Sequence, residues 1–459
     1  MHRTPLAILA LAATTLPAAR TMAAQQDKTQ RPNVLLFFTD DQGYGDLSCQ
    51  GHPTIHTPHI DALAASGMRL TQFYVGSPVC SPSRAALLTG CYPKRVSMHE
   101  HVVFPQYDYG LHTDEVTLAD ALQAAGYATG CFGKWHLGHR PGLLPLDQGF
   151  DVFEGVPYSN DMSRFHRKAN SKYGYRLPWL RGNNVVEWEP DQRLLTQRTT
   201  DAAIAFVEAS TDKPWFCYVP YSMPHIPLYA SKEFAGRSPR GLYGDVIEEI
   251  DANVGRVITR LEQLNLRDNT IVLFTSDNGP WLPFKEQGGS AGPLRGGKST
   301  NWEGGQRVPF VASWPQHIPP ASVCRELVTA MDVLPTVLAM CKIDAAGTRA
   351  NADRPIDGHS VQELLLGAPG ATSPTEQFLY YTSRGKLAGI RRGAWKLWLE
   401  SGALYHVEHD IGEQWDLAKK HHMMTAELRA AALAADAKIT AQQRPVRHVA
   451  EEQFDPRKK

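Results

Sequence analysis

The chain has 459 residues, of which 42% are hydrophobic and 20% charged, with 47 basic side chains against 47 acidic ones. That balance is ordinary for a globular protein, and the length suggests two domains. With no net formal charge the chain lacks the electrostatic footprint of a nucleic-acid or anionic-membrane binder, so any anion chemistry must come from local placement of charge.

His2 and Arg3, an apolar run over 6–13 and small residues over 18–24 have the layout of a secretory signal peptide cleaved near Ala24. The mature protein is therefore expected to be exported, to a periplasm or to the medium. The apolar run is too short to span a membrane, and no later segment reaches the length needed. Residues 34–38 are a continuous apolar run, as in a strand buried on both faces. Helical patterns follow at 58–67, 118–126, 199–210 and 243–264, alternating with buried-strand patterns at 129–132, 215–219 and 271–275. This alternation predicts an α/β fold. Pro, Gly, Ala and Asp dominate 345–374, which reads as a loop-rich boundary. Beyond it, short strand patterns at 378–381, 387–391 and 394–399 precede a helix over 425–441 and a basic tail expected to fray. The expected division is a signal peptide at 1–24, a catalytic domain at 25–372 and a smaller α+β domain at 373–459. Seven cysteines in an exported chain leave at least one outside any intramolecular disulfide.

Cys80-Ser81-Pro82-Ser83-Arg84 runs directly into a helical pattern. It puts a thiol at a helix N-terminus, where free N–H groups and the helix dipole favour anions, with a guanidinium one turn on. Read without reference to any family, Cys80 is a low-pKa nucleophile. Four buried-strand patterns end in polar groups: Asp40-Asp41, Lys134-Trp135-His136, the His225 loop between Pro224 and Pro227, and Asp277-Asn278. Ligand crevices of open α/β sheets lie outside the carboxyl ends of strands, so these four ends are expected to meet. Singly, Asp40-Asp41 and Asp277-Asn278-Gly279 are also good turn sequences. Three carboxylates and an amide suit a hard cation, Ca²⁺ or Mg²⁺, better than zinc. Arg84, Lys134 and Lys298 offset the negative charge of the carboxylates and of an anionic substrate.

These residues together resemble the formylglycine-dependent (type I) sulfatases of the alkaline-phosphatase-like superfamily. The family's signature is matched by Cys80-Ser81-Pro82-Ser83-Arg84, and its second signature by Gly126-Tyr127-Ala128-Thr129 and Gly133-Lys134-Trp135-His136. Phe132 departs from the pattern, since relatives usually carry a smaller residue there. Gly155-Val156-Pro157-Tyr158-Ser159 resembles the arylsulfatase A and N-acetylgalactosamine-6-sulfatase branch. The resemblance implies a large mixed sheet flanked by helices with a smaller C-terminal antiparallel sheet and helix, and hydrolysis of sulfate esters, with a sulfated glycan or an aryl sulfate as substrate. It also implies that a maturation enzyme oxidises Cys80 to formylglycine. Asp40, Asp41, Cys80, Asp277 and Asn278 would then hold calcium, Arg84 the aldehyde hydrate, and Lys134, Ser159, His225 and Lys298 the substrate sulfate. His225 with Lys298 would assist the leaving oxygen, and His136 would take the proton that releases sulfate. Two other readings stay open: a phosphodiesterase or phosphonate monoester hydrolase of the same superfamily, and a catalytically inactive exported glycan-binding protein. Sugar recognition is expected in the loop 161–184 and in the C-terminal domain.

Overall fold

The computed structural model describes residues 1–2, 31–163, 175–344, 354–452 and 454–457. The expected signal peptide beyond residue 2, the middle of the 161–184 loop and the start of the 345–374 boundary lie outside the described residues. Residues 31–459 are one unit.

The strands in chain order are β1 Asn33–Thr39, β2 Met68–Tyr74, β3 Tyr109–Gly110, β4 Ala128–Lys134, β5 Val152–Val156, β6 Pro178–Arg181, β7 Asn184–Trp188, β8 Trp215–Pro220, β9 Thr270–Ser276, β10 Arg307–Ser313, β11 Ser322–Cys324, β12 Val328–Thr329, β13 Gln377–Tyr381, β14 Leu387–Arg392, β15 Trp395–Trp398, β16 Leu404–His406 and β17 Arg447–His448. The helices are α1 Pro58–Ala65, α2 Cys80–Thr89, α3 Leu118–Ala124, α4 Leu195–Ala209, α5 Leu242–Gln263, α6 Glu303–Gln306, α7 Val333–Met340, α8 Gln362–Leu365 and α9 His422–Ala441.

Among the described residues eleven strands form one mixed sheet in the order β11-β2-β10-β9-β1-β8-β4-β5-β6-β7, with β12 also paired to β2. Its centre, β9-β1-β8-β4-β5, is entirely parallel, whereas β10 and β6 pair antiparallel on either side. The sequence pattern follows from this position. Alternate residues of a strand face opposite sides, and here Val34, Leu36 and Phe38 join a core with α2, α3 and α7. Leu35 and Phe37 join a second core with α1, α4 and α5. A strand covered on both faces must be apolar throughout. Phe132 packs against Phe206, ring centroids 5.4 Å apart, and a Cβ at Gly130 would lie 2.6 Å from the Phe132 ring. The bulkier residue of the signature is thus accommodated by a glycine two positions earlier.

A second, antiparallel sheet runs β13-β14-β15-β16, and Leu428, Ala432 and Ile439 of α9 pack on it. It joins the large sheet through a shared apolar core, in which Phe378 packs on Tyr74 and Tyr92, and through a buried ionic cluster. Glu303, fully buried at the start of α6, faces Lys396 of β15 at 3.1 Å and accepts from the hydroxyls of Tyr380, at 2.7 Å, and Tyr74. Lys396 also meets Glu413 at 2.7 Å, and the Glu303 amide donates to Glu413 at 2.7 Å. Helix α6 backs directly onto the end of β9: the Gly279 amide donates to the Gly305 carbonyl at 3.0 Å, and a Cβ on Gly279 would fall 1.7 Å from the Gly304 oxygen.

Over 444–450 the tail is held in place and not frayed. The Arg444 guanidinium grips Glu115, β17 pairs with β3, the Val449 amide donates to the Asp108 carbonyl at 2.6 Å, and Arg140 donates to the Ala450 carbonyl at 2.8 Å. Arg444 and Arg447 find acceptors, Glu115 and Thr113, on the large domain, which no local sequence pattern reveals. All seven cysteines are unpaired thiols. No helix among the described residues is long and apolar enough to cross a membrane.

Candidate active site

Because β9, β1, β8 and β4 are parallel neighbours, their carboxyl ends open on the same edge of the sheet. Asp40-Asp41 leave β1, Asp277-Asn278 leave β9, Lys134 ends β4, and His225 follows β8. Helix α2 brings Cys80 as its first residue, after Val79 in extended conformation, and ends at Gly90 with φ 66°. That left-handed end is where glycine is favoured. Every side chain of α2 is buried.

Arg84 organises the floor. It is fully buried, donates to Asp277 Oδ2 through Nε at 3.1 Å and Nη2 at 2.8 Å, and donates to the Lys134 carbonyl through Nη1 at 2.8 Å. Lys134 Nζ donates to Asp40 Oδ2 and, at 3.1 Å, to Ser159 Oγ. Lys298 Nζ lies 2.7 Å and 2.8 Å from the two oxygens of Asp41 and 3.6 Å from Cys80 Sγ. Cys80 Sγ itself donates to Asp40 Oδ1 at 3.4 Å. Asp41 holds a positive φ of 65°, an uncommon conformation for a residue with a side chain, and its amide donates to Asp277 Oδ1 at 3.0 Å. His225 Nδ1 faces the Ile226 carbonyl at 2.5 Å, so this nitrogen carries the proton and Nε2 is turned to Asp41 Oδ2 at 3.6 Å. His136 Nε2 likewise faces the Val103 carbonyl at 3.1 Å, while its buried Nδ1 has no hydrogen-bond partner among the described residues.

The cluster is overloaded with carboxylates. Burial and the neighbouring Asp40 charge push Asp277 up to about 7 against the pull of Arg84. Asp40 stays well below the usual carboxylate range because Lys134, His225 and Arg84 outweigh its burial. Asn278 donates to Asp41 Oδ1 at 2.8 Å, yet its own buried Oδ1 has no hydrogen-bond partner among the described residues. Crowded carboxylates beside an unused amide oxygen fit a hard divalent cation. Ligand atoms of Asp40, Asp41, Cys80 and His225 also lie within 4.8 Å of one another.

Burial and the Asp40 charge hold the Cys80 thiol well above its ordinary value. The low-pKa reading of this cysteine is thereby corrected: α2 does present an N-terminus, but the thiol is buried there and faces the Asp40 carboxylate. Burial and the charges of Lys134 and Arg84 keep His136 neutral, with its pKa well below the usual value. Burial and Lys298 lower that of His225. Burial opposes the charge on Lys298, but the Asp41 carboxylate more than compensates and keeps it cationic.

The structure thus gathers every residue singled out from the sequence. It adds two that the sequence reading did not select. Asp161 is buried, and despite that burial the charge of His225 and the Ser159 hydroxyl hold its carboxyl below the usual range. Trp281 stacks its ring on Lys298 Nζ at 4.4 Å and lies 5.5 Å from the His225 ring. Asp161 follows Ser159 by two residues and Trp281 follows Asn278 by three; proximity to a named motif was the available signal.

The Sulfatase family model matches residues 32–343. The chain belongs to the sulfatase family. Human arylsulfatase A is 39% identical over 407 residues, 82% of this chain and 76% of that protein. N-acetylgalactosamine-6-sulfatase of Sus scrofa is 38% identical over 382 residues, 80% of this chain and 71% of that protein. Among solved structures, Ps i-CgsB in complex with k-i-k-neocarrahexaose superposes with a TM-score of 0.77 at 28% identity, covering 90% of this chain and 94% of that one. A phosphonate monoester hydrolase of Agrobacterium radiobacter, at 21% identity and TM-score 0.62, shares the fold alone. This sulfatase is an enzyme of the alkaline-phosphatase-like fold, and its relatives act as sulfuric ester hydrolases.

Proposed function

We propose that this sulfatase is exported and hydrolyses sulfate esters, with sulfated glycans as its substrate class, using Cys80 in its formylglycine form and a calcium ion. The observation that carries the reading is the surrounding of Cys80: one buried sulfur within reach of Asp40 and Lys298, with Arg84 behind it. A neutral thiol in that place has no use as a thiolate. Formylglycine in its hydrated form supplies a nucleophilic oxygen and a second hydroxyl through which sulfate can be released. Asp40, Asp41, Asp277 and the Asn278 amide oxygen would hold the divalent cation, whose contribution is to polarise the sulfuryl oxygens. Magnesium satisfies the same donors.

The remaining work belongs to the chain's own side chains. Lys134 and Lys298, which neutralise Asp40 and Asp41 here, supply positive charge to the sulfuryl oxygens, and Ser159 adds a hydroxyl donor beside Lys134. His136 offers a lone pair at Nδ1, since its Nε2 proton is committed to the Val103 carbonyl, and accepts the proton whose removal frees sulfate. His225, with Nδ1–H committed to Ile226, presents Nε2 to the leaving oxygen next to the Lys298 ammonium, and gives up a proton there only from its doubly protonated, imidazolium form. We assign catalysis to residues 25–372 and treat 373–459 as a smaller domain, with residues 1–24 as an export signal. Conversion of Cys80 makes a formylglycine-generating enzyme an obligatory partner during maturation.

The test is a comparison of kcat/KM on p-nitrophenyl sulfate, p-nitrophenyl phosphate and a phenylphosphonate monoester. The sulfate is expected to be the preferred ester. A preference for either phosphorus ester would transfer the protein to the phosphohydrolase reading, and no turnover of any ester would leave only glycan binding.

A further inference from the structure

The segment 280–288 leaves the end of β9 two residues beyond Asn278 and rises at the rim of the site. Its backbone is built in. The Lys298 amide donates to the Pro280 carbonyl at 2.9 Å, Arg240 Nη1 donates to the Glu286 carbonyl at 2.7 Å, and the Gly288 amide donates to the Lys285 carbonyl at 3.0 Å. Gly288 and Gly297 press so close that a Cβ on either would lie 2.3 Å from the Trp281 and Pro280 oxygens respectively. On this anchored base the exposed side chains are apolar over 282–284 and polar over 285–287. Leu282 is 39% and Phe284 41% exposed, and Phe284 meets the half-buried Trp281 at an angle of 64° with ring centroids 4.7 Å apart.

We propose that Trp281 and Phe284 form the subsite for the saccharide ring that carries the leaving oxygen. This rests on the sulfate-ester reading above. The groups assigned to the leaving oxygen, Lys298 and His225, both touch the Trp281 ring, at 4.4 Å and 5.5 Å. A ring bonded to that oxygen therefore emerges beside Trp281. An aromatic pair set at an angle presents apolar faces to the C–H face of a pyranose, and the Lys298 ammonium against the other ring holds Trp281 in place. Leu282 and Phe284, together on the rim beside Trp281, are the apolar surface that such a ring would cover. The backbone tie between Lys298 and Pro280 couples this subsite to the sulfate site, so the sugar and its sulfate register on one rigid loop.

Phe284→Ala tests this, because the side chain is exposed and its truncation leaves the packed core untouched. The probes are sulfated monosaccharides, starting with N-acetylgalactosamine 6-sulfate, and methyl sulfate, which has no ring. The expected result is a rise in KM for the saccharide of roughly three- to tenfold, the range for one aromatic contact. KM for methyl sulfate and inhibition by inorganic sulfate should stay within about twofold, and Phe284→Tyr, which keeps the ring, should match wild type. An unchanged saccharide KM, or an equal change for methyl sulfate and inorganic sulfate, would overturn the subsite. If the wild-type protein turns over aryl sulfates but none of the saccharides, the subsite falls and the hydrolase reading stands. If it turns over no sulfate ester at all, both fall.

Discussion

His225→Ala separates proton donation from charge stabilisation. In the structure the imidazole is buried, with Nδ1–H spent on the Ile226 carbonyl, so only Nε2 can serve the substrate. Removing it does not orphan its carboxylate neighbour: Asp41 keeps Lys298 at 2.8 Å and Asn278 at 2.8 Å. The variant should therefore fold and retain the sulfate site, and its defect should be read in the leaving group. Loss of one positioned acid or donor costs about 2.7–4 kcal/mol in the transition state, or roughly a hundred- to a thousandfold in kcat. An alkoxide leaving from a primary-alkyl sugar sulfate needs the proton and should suffer that full loss. A p-nitrophenolate leaves unaided, and its loss should stay below about tenfold. Parallel kcat/KM measurements on both esters make the comparison within one preparation. Equal losses on the two esters would refute proton donation by His225 and shift the role of acid to Lys298.

Lys134→Ala should lower turnover by roughly two to three orders of magnitude at every pH, because no titration restores a missing fixed charge; recovery at any pH in a rate profile would contradict this. Asp277→Ala should remove the bound divalent cation and activity together, as read by elemental analysis and rate; metal retained without activity would make Asp277 a catalytic group and not a ligand. Glu303 is held below the usual glutamate range because the charges of Lys396, Arg391 and Arg307 outweigh its burial. Between its folded-state value and the ordinary one, the native protein binds fewer protons than the unfolded chain. Its contribution is therefore complete near neutral pH and is lost as pH falls through that window. Glu303→Gln should cost roughly 3 kcal/mol in denaturant unfolding near neutrality, with the difference from wild type shrinking in acid; a constant difference would mean that the ionised form plays no part.

What the sequence disclosed depended on where each residue sits. The runs at 34–38, 215–219 and 271–275 are legible because β1, β8 and β9 are covered on both faces, and a parallel sheet between helices leaves no polar alternation to confuse the pattern. The polar groups at their ends stand out against those runs, which is why the site could be assembled from four separate segments. Strands β2 and β10 escaped because their pattern is mixed: Arg69 and Thr71 of β2 are only half-buried, and β10 follows directly from the glycine-rich turn of α6. Nothing local marks Glu303 as a junction residue, because its partners, Lys396 and Glu413, lie about a hundred residues away in the chain, at 2.7–3.1 Å in space. Cys80 was misjudged as a low-pKa thiol for the same reason: helix N-terminus chemistry is local, but the Asp40 carboxylate that opposes it arrives from another strand.

The central claim is that the buried residue at the head of α2 works as an aldehyde. Peptide mass spectrometry across residues 80–84 of the active enzyme, produced in a host with the maturation machinery, reads this directly. The account predicts that formylglycine replaces Cys80 and that its fraction rises and falls with specific activity across preparations. Full sulfatase activity with Cys80 present entirely as the thiol would contradict it.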